Sequence, residues 1–169
     1  NKAKEVLPEG AKLTVVGDRE MDKFEVMAQV PDHQTDFLLR SNHNRLLANS
    51  QKLYDFFATF EHAGLRRVQL PARKGRPERE ASLEIRFGKV AIPRTSGVAA
   101  DLAKEVEVHW VEAKEADHTV PKEKKRVHWR LLTSHSVETL DEALQMVEWY
   151  SARWQIEQLF RTLKSKGLA

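Results

Sequence analysis

Four residues near the carboxyl end combine types and spacing that could do chemistry: Tyr150, Arg153, Glu157 and Lys164. In a helix turning about 100° per residue, steps of three, four and seven bring them within about 60° of one another, on a stripe about 21 Å long. A lone carboxylate flanked by a phenol and two cations suits metal-assisted chemistry on a phosphodiester. Glu157 would hold a divalent cation, and Tyr150, Arg153 and Lys164 would hold phosphate oxygens. An ordinary amphipathic helix with a solvated Arg153–Glu157 pair, worth a few tenths of a kcal/mol, gives the same spacing. Ile156, Leu159, Phe160 and Leu163 lie on a face about 90° away and would dock the helix on a core.

The stripe needs a helix with defined ends. Thr139 and Glu142 form a capping box, which predicts a helix over 139–166 closed by Gly167. Leu140, Leu144 and Val147 fall on a different face from the apolar residues after them, so a bend or a change of packing partner is predicted near Trp149. Residues 127–133 read as the strand leading into this helix. Within that strand Trp129 reads as a core residue, and Trp110, Trp149 and Trp154 are assigned to the core.

A second acid comes from the other end of the chain. Residues 12–17 form a short β-branched run ending in Gly17, which reads as a buried strand delivering Asp18 at its carboxyl end. Ligand sites of open α/β sheets gather at such ends. Asp18 is equally a good helix N-cap, and a helix is predicted from Asp18 to Val30, stopped by Pro31. A strand over 36–40, a polar turn over 41–45 and a short amphipathic helix over 51–61, closed by Gly64, follow. From there to Pro121 the alternation is strand-like over 67–70, 81–87, 89–92 and 105–111, with a tight hairpin predicted at Phe87, Gly88 and Lys89.

At 169 residues the chain is long enough for one domain with a sizeable core, or for a core plus a small insertion. No apolar run is long enough to cross a bilayer, and the polar start has no signal-peptide character. The absence of cysteine excludes disulfides, Cys-ligated zinc and thiol catalysis and is compatible with a reducing cytoplasm. The histidines form no His-x3-His pair, so zinc is not expected. The net charge of +3 is unevenly spread: residues 66–94 hold nine basic residues against three acidic. This stretch includes a basic loop with Arg73, Lys74 and Arg76. A second cluster, Lys122, Lys124, Lys125, Arg126 and Arg130, meets only Glu123. Such concentrations are the footprint of a polyanion partner; hairpin edges protected by charge give the same pattern.

The pattern Tyr150-x2-Arg153-x3-Glu157-x6-Lys164 resembles the YREK signature of cut-and-paste DDE transposases from bacterial insertion sequences. Asp18, Arg19, Glu20, Met21 and Asp22 resemble the D-R-E-x-D motif of the same enzymes, with Met21 where alanine is usual. The resemblance runs from Asp18 to Lys164. It implies an α/β fold with a partial RNase H-like core of the retroviral-integrase type and an inserted β-rich subdomain. On that reading residues 1–61 are the second part of the core with a connecting helix, 62–122 the β-rich insertion, and 123–169 the last strand and signature helix.

By resemblance, Asp18 and Glu157 are catalytic and ligate a two-ion Mg2+ or Mn2+ site, and the activity is phosphodiester hydrolysis and strand transfer at transposon ends. Tyr150, Arg153, Lys164, Arg40 and Arg45 bind DNA, joined by the basic loop Arg73, Lys74 and Arg76; Asn42 stands where the family often has lysine. Trp129 stacks on a base turned out of the duplex, and Asp22 is structural. The family's first Asp is expected upstream of Asn1, in a longer parent. These 169 residues alone are therefore expected to be inactive, with self-association through an open sheet edge. The partners implied are transposon ends, target DNA and a second copy in a paired-end homodimer, in the bacterial cytoplasm at the nucleoid and not at a membrane. The alternatives are a transposase-derived non-catalytic DNA-binding module and another RNase H-like nuclease.

Overall fold

The computed structural model describes residues 8, 10–70, 72, 77–122, 125–165 and 167, except for the side chains of 154, 155, 157, 158, 160, 161, 164 and 165. Six strands make one sheet. In spatial order they are β1 (Leu13–Gly17), β2 (Thr35–Arg40), β6 (His128–Thr133), β5 (Glu105–Glu115), β4 (Arg79–Pro93) and β3 (Gly64–Leu70). β1 and β2 pair in parallel, Leu13 beside Thr35 and Gly17 beside Leu39, and every other pairing is antiparallel. The strands between residues 62 and 122 thus continue the sheet that β1 and β2 begin, through the β5–β6 ladder.

A parallel pair needs a crossover. Here it is a 3-10 turn, Arg19–Met21, followed by α1, Phe24–Gln29. The single helix predicted from Asp18 is broken at Asp22, whose ψ of 70° is not helical. Its carboxylate instead accepts the backbone N–H groups of Asn42 at 2.5 Å and His43 at 2.9 Å.

Each sheet face carries its own core. α3, Leu140–Ser165, covers one face, where Ala143, Met146, Val147 and Tyr150 pack with Leu83, Ile85, Val111, Trp129 and Leu131. The capping box is formed: Glu142 accepts from the Thr139 N–H at 3.0 Å and its own N–H donates to the Thr139 hydroxyl at 3.3 Å. The opposite face is covered by α1 and by α2, Leu53–Ala58, which bring Phe24, Met27, Leu53 and Phe57 onto Trp110, Leu132 and Ile92. The Trp110 and Phe57 rings stack 5.0 Å apart. Burying side chains of this size contributes roughly 1.5–3 kcal/mol each.

Several expectations are corrected. β4 is one unbroken strand, with no hairpin at Gly88, which pairs with Trp110 of β5 while Phe87 and Lys89 pair on either side. A Cβ at Gly88 would lie 2.8 Å from both the Phe57 and Phe60 rings, so this glycine admits two aromatics and makes no turn. Gly64 opens β3 instead of closing a helix. Trp149 is 37% exposed, edge-on to His135, and not in the core; Trp154's side chain lies outside the described residues. Ile156 and Leu159, assigned to docking, are more than half exposed. Among the described side chains of α3, those buried against the sheet run from Ala143 to Tyr150, with Leu140 and Leu144 partly buried beside them.

Candidate active site at the end of β1

Asp18 follows directly on β1 and does two things at once. Its Oδ1 accepts the Glu20 N–H at 3.0 Å, capping the 3-10 turn. Its Oδ2 lies 3.9 Å from Nη1 of Arg153 on α3, with the carboxylate 43% exposed and the Arg153 side chain 18%. Capping and site chemistry are therefore compatible at this residue. Gly17 makes the turn fit: a Cβ there would sit 2.6 Å from the Met21 sulfur and 2.8 Å from a Leu39 methyl.

The stripe on α3 meets this strand end through Arg153, whose guanidinium carbon stands 5.8 Å from the Tyr150 ring centroid. Tyr150 is fully buried, edge-on to Trp129 at 5.7 Å, and its hydroxyl has no hydrogen-bond partner among the described residues. Glu157 follows one helical turn after Arg153, about 6 Å along the axis. The side chains of Glu157 and Lys164 lie outside the described residues, as do Arg73, Lys74 and Arg76 entirely. Trp129, only 6% exposed, lines a cavity of about 340 Å³ between β3 and α3, with Arg67, Gln69, Glu148 and Ser151 also on its wall.

Arg40 donates from Nη2 to the His128 carbonyl at 3.3 Å, which ties β2 to the start of β6. Arg45 points inward. Its Nη1 lies 2.7 Å from the Asp22 carboxylate and its Nη2 donates to the Asp22 carbonyl at 2.9 Å, leaving the side chain 11% exposed. The pair pins the turn after β2 to the end of the turn that Asp18 opens. Among the described residues no three acids or histidines converge into a metal-binding group.

Two polar clusters escaped the sequence reading. In the first, Glu112 of β5 is shared by His128 Nε2 at 2.6 Å, Arg130 Nε at 3.3 Å and Arg86 Nη1 at 3.3 Å. Burial pushes the Glu112 carboxyl up, but the His128 hydrogen bond and the charges of His128, Arg130 and Arg86 outweigh it and hold it below 4.5. In the second, His135 Nε2 lies 2.9 Å from the Thr14 hydroxyl, its Nδ1 3.6 Å from Asp36, and the Ser134 hydroxyl donates to Asp36 at 2.7 Å. Burial holds the His135 imidazole below its ordinary 6.5; Asp36 opposes that shift and Lys12 adds to it. The signal for either cluster is cross-strand register, which a single strand's sequence does not contain.

The model of the transposase DDE domain family matches residues 3–169. The chain belongs to that family. As a transposase DDE domain, the six-stranded sheet with its helices is a fragment of an RNase H-like α/β fold, and DNA is the partner class. Enzymes of this family act in DNA transposition and generally use divalent metal ions. Among the described residues no helix is long and apolar enough to cross a membrane.

Proposed function

We propose that the chain is part of the catalytic domain of a YREK-type cut-and-paste transposase, with Asp18 and Glu157 as two of its three catalytic acids. The observation that carries this is the Asp18–Arg153 contact: residues from the two motifs, far apart in sequence, meet at the end of β1. The donor chemistry fits the metal implied. Asp18 Oδ2 and the Glu157 carboxylate are hard oxygen donors of the kind Mg2+ and Mn2+ prefer. When bound, a pair of such ions supplies activation of a water or a DNA 3′-hydroxyl and stabilisation of the leaving oxygen.

The protein's own groups do the rest. Arg153 orients the Asp18 carboxylate. Lys164 and Arg40 bind further phosphates, joined by Arg73, Lys74 and Arg76. Tyr150 supports Trp129, and the cavity between β3 and α3 takes a base displaced from the duplex, where stacking offsets part of the few kcal/mol that unstacking costs. Arg45 contributes indirectly, by holding Asp22 and the turn it ends. Residues 1–61 and 123–169 act as core and 62–122 as an insertion that extends the same sheet. The third acid comes from a longer parent, so residues 1–169 alone do not cleave; the parent works as a homodimer on paired ends in the bacterial cytoplasm.

The test is cleavage of DNA carrying the element's ends, in Mg2+ and in Mn2+, by this chain and by one extended upstream to supply the third acid. Cleavage by the extended chain alone, abolished by Glu157→Gln and by Asp18→Asn, is the expected result. An extended chain that binds those ends and stays inert with both ions would overturn the catalytic assignment.

A further inference from the structure

The Glu112 cluster lies on the sheet face covered by α2, opposite the face on which Asp18 meets Arg153 of α3. Gly17, the residue before Asp18, pairs with Leu39, and the next residue of β2, Arg40, donates to the His128 carbonyl at the start of β6. The Ser41 N–H donates to the Arg130 carbonyl at 2.8 Å. Across the next two ladders Arg130 faces Glu112 and Glu112 faces Arg86, on one face of the sheet. From β6 to β4 this is two strand spacings of about 4.8 Å, or about 10 Å, the axial length of about three base pairs at about 3.4 Å each.

The charges on this track are unbalanced and held in place. One carboxylate, 8% exposed, is shared by two guanidiniums and an imidazole, while Arg130 and His128 remain 32% and 29% exposed. Arg130 lies over the Tyr54 ring at 4.1 Å, and Arg86 Nε donates to the Phe60 carbonyl at 2.7 Å. Each guanidinium is thus oriented from below and keeps donors to spare, because an arginine has five N–H groups. In the next row Lys114 stands between Glu84 and His128, so it adds little net charge. The segment leading into His128 adds the exposed Lys122 and Lys125.

We propose that Arg130 and His128, held with Arg86 by Glu112 and extended by Lys125, form a track for the phosphate backbone of duplex DNA on the α2-covered face of the sheet, opposite the Asp18–Arg153 contact. This rests on the reading of the chain as DNA-acting, and its test uses no catalysis. Binding of the 169-residue chain to a labelled duplex is followed by fluorescence anisotropy, in EDTA, over a series of salt concentrations. Arg130→Gln should lower the magnitude of the slope of log K against log salt by about 0.9, the loss of one phosphate contact, and Arg130→Lys should restore it. Lys125→Gln, at an exposed site, should lower the slope similarly and decides the matter if Arg130→Gln does not fold. Glu112→Gln should lower the Kd, because it frees the cations from their carboxylate; a merely structural cluster would show weaker binding or no change. Parent-like slopes in both Arg130→Gln and Lys125→Gln, or unchanged or weaker binding by a folded Glu112→Gln, would overturn the track. If the parent chain itself binds duplex with no salt dependence, the DNA-acting reading fails instead.

Discussion

Arg153 Nη1 stands 3.9 Å from Asp18 Oδ2, joining the long carboxyl-terminal helix to the end of the first strand. With the carboxylate 43% exposed, solvent screens the pair, and its contribution to stability is at most about 1 kcal/mol. Its weight falls on orientation. Arg153→Ala should leave thermal stability nearly unchanged while lowering cleavage by the extended protein about a hundredfold, the effect of a catalytic group displaced by about 1 Å. Equal losses in both measurements would assign Arg153 to packing.

Tyr150 gives the opposite separation. Its hydroxyl is buried without a partner among the described residues, a state that costs roughly 1–3 kcal/mol. Tyr150→Phe should therefore be neutral or stabilising in chemical denaturation. A clear destabilisation would mean that the hydroxyl is satisfied.

Gly17 tests the turn beneath Asp18. Gly17→Ala drives a methyl toward the Met21 sulfur and Leu39, an overpacking that costs about 1–3 kcal/mol. Met21→Ala should recover much of that loss, since it removes the nearest atoms. A denaturation midpoint unmoved by Gly17→Ala would show that the turn yields freely.

Arg79 and Glu115 form a bidentate pair, at 2.5 Å and 2.9 Å, with Glu115 fully buried. Arg79→Ala leaves that carboxylate without its cation and should cost about 3–5 kcal/mol. Adding Glu115→Gln should restore part of the loss. Additive losses in the double variant would rule out coupling.

Acid should destabilise the fold in two steps. The His135 imidazole, desolvated by burial, is held below 6.5, so the unfolded chain binds more protons there. Its contribution is complete above pH 6.5 and is lost as pH falls through the lowered folded value. Glu112 and Glu115 are also depressed: burial pushes both up, but His128 at Glu112 and Arg79 at Glu115 outweigh it. Their contribution is complete above pH 4.5 and is lost below it. His135→Gln should flatten only the upper step in a series of denaturation midpoints against pH.

The local signals in the sequence were strong where one element carried them. The β-branched run before Asp18, the Thr139–Glu142 box and the apolar face of residues 53–57 each correspond to an observed strand end, helix start or helix. Pairing was legible only in part, because it depends on partners. Gly88 looked like a turn until Phe57 and Phe60 were found against it. Arg45 looked like an outward cation until Asp22 was found buried beneath it. Ile156 and Leu159 followed helical periodicity correctly but meet no core here, since periodicity reports a face and not what covers it. The meeting of Asp18 with Arg153 depends on how α3 crosses the sheet, which no local pattern encodes.

Because β1 and β4 belong to one sheet, no hinge intervenes among the described strands between the carboxylate at one end and the guanidiniums at the other. A duplex held at Arg130 and His128 that passes round the strand ends to the other face would have its register at Asp18 set to within the stiffness of a hydrogen-bonded ladder. Affinity gathered on that opposite face could then serve alignment at the reacting phosphorus, the general way in which remote contacts raise a rate rather than merely tighten binding.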